Sequence, residues 1–220
     1  MEKSALEKLK SKFIFSIEGN AAAGKTTLIG HLKKTFKDAA FVEEPVNNWQ
    51  NLDGINLLEK KNEDVKRWGY TFQVHVHITK MNELVKVANT EKNIILVERS
   101  KLTDKAFFDI NVENNLSTPM EEAIFKNLYE FLSNNVFPKL TGIIYLDIPI
   151  EECMKRMKER GRKEEELLSV EYIKQLDRHF KKVIKESGLP VLYLNGKYDL
   201  KTELPEIEKK ITNFIKEHIK

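Results

Sequence analysis

The chain has one cysteine, Cys153, in 220 residues. That excludes an internal disulfide and any zinc site built from several cysteines, and it suits a reducing compartment. A surplus of one charge is missing too. The 37 Lys and Arg against 34 Asp and Glu leave +3 at pH 7, which gives no reason for bulk binding to nucleic acid or to a membrane surface. No apolar run approaches the ~20 residues that a membrane helix needs. The N-terminal MEKSALEKLKSK has no apolar signal core, and Glu2 and Glu7 sit poorly with a transit peptide. Six prolines and nine glycines are scattered, with no linker, repeat or domain boundary among them. A cytoplasmic protein is expected, with one domain over residues 1–220, and 41% hydrophobic residues suffice for its core.

Short apolar runs at 13–17, 40–42, 94–97, 143–146 and 191–194 are rich in β-branched and aromatic residues and lack polar alternation. Strands covered on both faces look like this. Longer helical patterns separate them, and this rhythm predicts an α/β fold with five parallel strands flanked by helices. Residues 67–89 read as one long helix. Val74, Ile78, Met81, Val85 and Ala88 form an apolar seam along it, suited to burial within the domain or to a dimer interface.

Gly19-Asn20-Ala21-Ala22-Ala23-Gly24-Lys25-Thr26 matches G-x-x-x-x-G-K-[ST] between an expected strand and an expected helix. Small residues allow a tight turn whose backbone N–H groups surround phosphate oxygens at the helix N-terminus. Lys25 would meet the β- and γ-phosphates, and the Thr26 hydroxyl would bind Mg²⁺. The motif predicts a nucleoside triphosphate site in a P-loop fold. It does not by itself separate a kinase from a switch or a motor. Asn195-Gly196-Lys197-Tyr198-Asp199 is one residue too long for the guanine-reading N-K-x-D of switch GTPases.

Glu43-Glu44-Pro45 and Glu98-Arg99-Ser100 end two expected strands. Ligands of open parallel sheets sit at the carboxyl ends of the strands. Both clusters should therefore face the phosphate loop, where a carboxylate can take a proton or hold Mg²⁺ and an arginine can stabilise a phosphoryl group. Gln73, Val76 and Lys80 share one helix face beside the seam, fit to line a base pocket. His75 and His77 point to different sides of that helix, and no histidine has a ligand partner at useful spacing. Residues 155–166, KRMKERGRKEEE, read on composition alone as a solvated helix face.

Taken in order, IEGNAAAGKTT (17–27), EEPVNNW (43–49), RWGYTFQ (67–73), ERSKLTD (98–104) and RGRKEE (160–165) resemble the deoxynucleoside kinase family, its deoxycytidine and deoxyguanosine branch in particular. The resemblance covers essentially the whole chain. It implies ATP-dependent transfer of the γ-phosphoryl group to a nucleoside 5′-hydroxyl, with Mg²⁺, by a homodimer. Glu44 resembles the family's general base, and Arg99 the arginine beside it. Glu98 and Thr26 correspond to the magnesium site. Gly19 to Thr27 would hold ATP, with Arg156, Arg160 and Arg162 as lid arginines over residues 156–166; Asp199 is grouped with these ATP residues. The lid assignment displaces the solvated-face reading.

The resemblance further makes Gln73 the residue that pairs with the base, Phe72 and Phe108 the aromatics that hold it, and Trp49 a pocket wall. Glu165 resembles a lid glutamate on the sugar 3′-hydroxyl. Lys80 stands where an arginine is usual, and Asp104 is kept; a carboxylate there favours cytosine or purine over thymine. The family's tyrosine beside the sugar is replaced by Asn62, preceded by Lys61 where an apolar residue is usual. Such a pair would suit a larger or anionic acceptor, so a nucleoside monophosphate kinase is the nearest rival. A nucleotide-binding switch that turns nothing over is a more distant one.

Overall fold

The computed structural model describes residues 4–198 and 202–219. Five strands, β1 Phe13–Gly19, β2 Ala39–Val42, β3 Ile94–Glu98, β4 Gly142–Asp147 and β5 Val191–Asn195, form one parallel sheet in the order β2-β3-β1-β4-β5. All five expected runs are strands, with ends extended by up to two residues. The helices are α1 Ala5–Lys10, α2 Lys25–Thr35, α3 Val46–Gln50, α4 Leu57–Glu63, α5 Val65–Ala88, α6 Lys101–Glu113, α7 Pro119–Asn135, α8 Ile150–Arg160, α9 Val170–Glu186 and α10 Leu204–His218.

Sheet order decides where the chemistry lies. The chain leaves β1 at the centre for β2 at one edge, and it reaches β4 on the other side only later, so β1 ends at the point where the strand order reverses. Ligands of such sheets bind there. Register then brings the three motifs level. Ile17 of β1 pairs with Glu98 of β3, and Val42 of β2 pairs with Val97. The residues after each strand, Glu18-Gly19, Arg99 and Glu43-Glu44, therefore emerge side by side.

Phe15, Ile17, Leu96, Ile143 and Ile144 are fully buried in the main core, with Leu28 and Ile29 of α2 and Phe180 of α9 packed against them. The both-faces-covered expectation fails at one position: Tyr193 of the edge strand β5 is exposed. The seam on α5 is a larger departure. Ile78 is 55% and Val85 37% exposed, while Gln73, His77, Thr79 and Lys80 are buried. The helix turns a polar side inward, so burial of the whole seam within this chain is ruled out and only Ala88 of its five residues is fully covered.

Candidate active site

The phosphate loop follows β1 and ends at α2. Gly19 has φ +146, and a Cβ on it would sit 2.7 Å from the Leu146 carbonyl oxygen of β4; no larger residue fits. Gly24, at φ +94, turns the chain into α2. Asn20 braces the loop: its Oδ1 accepts from Ala21 N at 2.8 Å, and its Nδ2 donates to the Ile173 carbonyl of α9 at 3.0 Å. Lys25 Nζ donates to the Asn20 and Gly19 carbonyls at 3.0 and 3.3 Å. Burial, and then the neighbouring Arg99 charge, push the Lys25 ammonium down to about 8. Thr26 Oγ1 donates to Glu98 Oε1 at 2.7 Å.

A cavity of about 610 Å³ opens above the loop. Ala21 to Thr27 line it, with Glu43, Glu44, Glu98, Arg99, Trp49, Asn62, Phe72, Gln73, Val76, Asp104, Arg156, Arg160, Arg162 and Glu165. The motifs read from the sequence thus converge on one space. Glu44 Oε1 lies 3.5 Å from both Arg99 Nε and Lys80 Nζ. Burial opposes ionisation of Glu44, but Lys80, Arg99 and Lys25 outweigh it and hold the carboxyl below the usual range. Glu44 is therefore a carboxylate near neutral pH, able to accept a proton or a hydrogen bond.

Arg99 is held in a strained conformation, φ +59. Its backbone N donates to the Ile17 carbonyl at 3.1 Å, and its guanidinium lies over Phe107 and Phe180 at 5.3 and 4.9 Å. Its Nη1 is buried without a hydrogen-bond partner. At the far end, Trp49 and Phe72 meet edge to face at 5.6 Å, and Trp49 Nε1 donates to Thr79 Oγ1. Gln73 Oε1, buried beside them, also lacks a partner. A flat polar ring between that wall and the amide would find stacking surface and a hydrogen-bond acceptor.

Two expected residues sit otherwise. Lys80 does not line the cavity: its Nζ donates to Asp104 Oδ1 at 2.7 Å and neighbours Glu44, bracing both carboxylates from behind. Burial opposes its charge, yet Asp104 and Glu44 outweigh burial and keep the ammonium above its ordinary range. Phe108 is stacked on Phe125 of α7 with centroids 3.9 Å apart, and the aromatic that faces the cavity from α6 is Phe107. One residue along a helix is about 100° around it, and contact with α7 takes Phe108 away. Asp199 lies outside the described residues. Of the charged run, Arg156 reaches over Gly24 while paired to Glu152 at 2.9 Å, and Arg160 and Arg162 flank Glu165.

Glu18 was not singled out by spacing. It is fully buried, accepting from Ser100 N through Oε1 and from Thr103 Oγ1 through Oε2, both at 2.8 Å, and so ties β1 to the start of α6. A carboxylate between the apolar run 13–17 and the first glycine of the loop motif is the available signal.

Residues 15–220 match the family model described as deoxynucleoside kinase. The chain belongs to the deoxynucleoside kinase family. It is 34% identical over 190 residues to a probable deoxycytidine kinase of Fowlpox virus, which covers 84% of this chain and 79% of that protein. It is 29% identical over 235 residues to the deoxycytidine kinase of Homo sapiens, covering 91% and 90%. A mitochondrial deoxyguanosine kinase of Xenopus laevis is 30% identical over 215 residues, covering 84% and 81%. The family is one of phosphotransferases, and the resemblance read from the motifs holds for the whole matched span. Among the described residues, no helix is long and apolar enough to cross a membrane.

Proposed function

We propose that this chain transfers the γ-phosphoryl group of ATP to the 5′-hydroxyl of a deoxynucleoside, as one kinase domain whose lid spans 156–166. The observation that carries the reading is the position of Glu44. It lies 3.5 Å from Arg99 in the cavity that Lys25 and Thr26 also line, with Gln73, Trp49 and Phe72 at the other end. A nucleoside laid between those ends would present its primary alcohol to a carboxylate held ionised.

The steps follow from these residues. The loop amides and Lys25 bind the triphosphate, and Arg156, Arg160 and Arg162 close over it. Glu44 takes the proton of the 5′-hydroxyl as the new P–O bond forms. Arg99, with its spare donor at Nη1, steadies the attacking alcohol and the charge that spreads over the transferring group. Excluding water at the closed lid makes the sugar, not solvent, the acceptor. Thr26 and Glu98, whose oxygens are 2.7 Å apart at the loop mouth, would hold a magnesium ion there. When bound, Mg²⁺ would neutralise β- and γ-phosphate charge.

Gln73, with Asp104 behind the base end, supports cytosine or purine acceptors over thymine. The exposed apolar side chains Ile78 and Val85 of α5 and Ile124 and Phe131 of α7 support a homodimer joined through these helices. Incubation with ATP-Mg²⁺ and each common nucleoside and its 5′-monophosphate tests the reading. Phosphorylation of deoxycytidine or a purine deoxynucleoside is expected; phosphorylation of monophosphates alone would defeat it.

A further inference from the structure

Lys61 is a buried cation that the proposed mechanism leaves without a task. Only 7% exposed, it lines the main cavity from α4. Its Nζ donates to Asn62 Oδ1 at 3.0 Å and lies 5.6 Å from the centre of the Tyr172 ring. Among the described residues, no carboxylate lies within 4.0 Å of it. The two other buried lysines of this region are provided for, Lys25 by two loop carbonyls and Lys80 by Asp104 and Glu44. An ammonium carries three N–H donors, and Asn62 takes one. A ring face attracts the charge but supplies no lone pair. Donors that a bound ligand shuts off from water are costly unless they meet an acceptor, so such a group in a cavity wall favours a ligand that carries one there.

Position says which part of the ligand. Leu57 and Leu58, one turn before Lys61, pack with Trp49 and Phe72 at the base end. Beyond Lys61, the Asn62 amide donates to the Glu164 carbonyl in the lid segment. Lys61 thus lies on the side wall that joins the base end to the lid. An acceptor stretched from Gln73 to Glu44 has its base at one end and its primary alcohol at the other. What it turns to that wall is the secondary-hydroxyl edge of its sugar. We infer that Lys61, oriented by Asn62, is a specificity-determining residue that donates a hydrogen bond to a secondary hydroxyl oxygen of the acceptor sugar.

This inference rests on the kinase reading, and its test separates the two. Wild type and Lys61→Met, with Lys61→Arg as the conservative variant, are compared on a ribonucleoside, its 2′-deoxy form and its 2′,3′-dideoxy form, all with the same base. Each is measured as kcat/KM and as Kd by calorimetry. Ribo against 2′-deoxy reads the 2′-hydroxyl, and 2′-deoxy against dideoxy reads the 3′-hydroxyl. One of these ratios should fall about 10- to 100-fold in Lys61→Met, as loss of a charged hydrogen bond implies, and recover in part in Lys61→Arg. A merely structural role would weaken all three acceptors in proportion. Ratios unchanged within threefold would overturn the inference, whatever the melting temperature of the variant. A wild type that binds nucleosides without phosphorylating them sinks the kinase reading and leaves the binding ratios readable. One that binds no nucleoside overturns both.

Discussion

Replacing Lys25 by methionine should stabilise the ligand-free protein while abolishing its chemistry. A fall of the Lys25 ammonium from 10.5 to about 8 corresponds to roughly 3 kcal/mol at pH 7, the cost of keeping this cation in the fold. Methionine has a similar reach and no charge. Against that gain stand two hydrogen bonds, to the Gly19 and Asn20 carbonyls, each contributing about 1 kcal/mol. The balance is about 1–2 kcal/mol in favour of the variant, or a rise of roughly 3–6 °C in melting temperature for a chain of this size. The sign has a pH signature. Because the folded value is depressed, the penalty is complete below about 8 and is relieved as pH climbs towards 10.5, so the gap between the two proteins should narrow over that window. Saturating ATP-Mg²⁺ should reverse the order, since ligand at ~100 times its Kd adds about 2.7 kcal/mol to wild type and far less to a protein without the loop lysine. Thermal melts with and without ATP, at pH 7 and 9.5, give all four numbers. A variant that melts below wild type without ligand would refute the reasoning.

Glu44→Gln should lower kcat by about 10²–10⁴-fold with ATP affinity retained, measured by ADP release and by calorimetry; near-wild-type turnover would remove Glu44 as the base. Because neighbouring cations hold that carboxyl below its usual range, kcat/KM should stay flat from about pH 7 down to about pH 5 before the acid limb begins. Gly19→Ala must relieve a 2.7 Å approach to Leu146 O at φ +146; a loss of at least roughly 2 kcal/mol is expected in urea unfolding, together with lost ATP binding. Ile78→Glu puts a charge on the exposed seam of α5. If that seam joins two copies, sedimentation should report monomers; an unchanged species would assign the seam elsewhere.

The strands and the phosphate loop were readable because their causes are local. Apolar runs without alternation mark strands buried on two sides, and a glycine at φ +146 with no room for a Cβ leaves a fixed spelling in the chain. Glu44 and Arg99 were readable one step further, from strand ends in a parallel sheet. What stayed hidden depends on which side of a helix meets which neighbour. Periodicity made Val74 to Ala88 a candidate inner stripe of α5, since polar residues ordinarily face water; a helix that borders a ligand cavity reverses that rule and buries Gln73 and Lys80. Phe107 and Phe108 are adjacent and alike in composition, and only the presence of Phe125 decides which one turns from the cavity.

The atoms left unmatched in this site form a pattern. Most buried polar groups near the loop satisfy one another: Glu18 with Ser100 N and Thr103, Thr26 with Glu98, Lys80 with Asp104 Oδ1. Arg99 Nη1, Gln73 Oε1 and Asp104 Oδ2 do not, although Arg99 is fixed by its backbone bond to Ile17 and by two phenyl faces. A side chain free to move would have swung to water and lost nothing. Held rigid, each unmatched atom carries a desolvation cost that a ligand with the complementary group removes on binding. Rigidity would therefore work as selectivity: a ligand that matches Arg99 but not Gln73 would recover only part of that cost, so the proposed site would discriminate between acceptors by the groups they present.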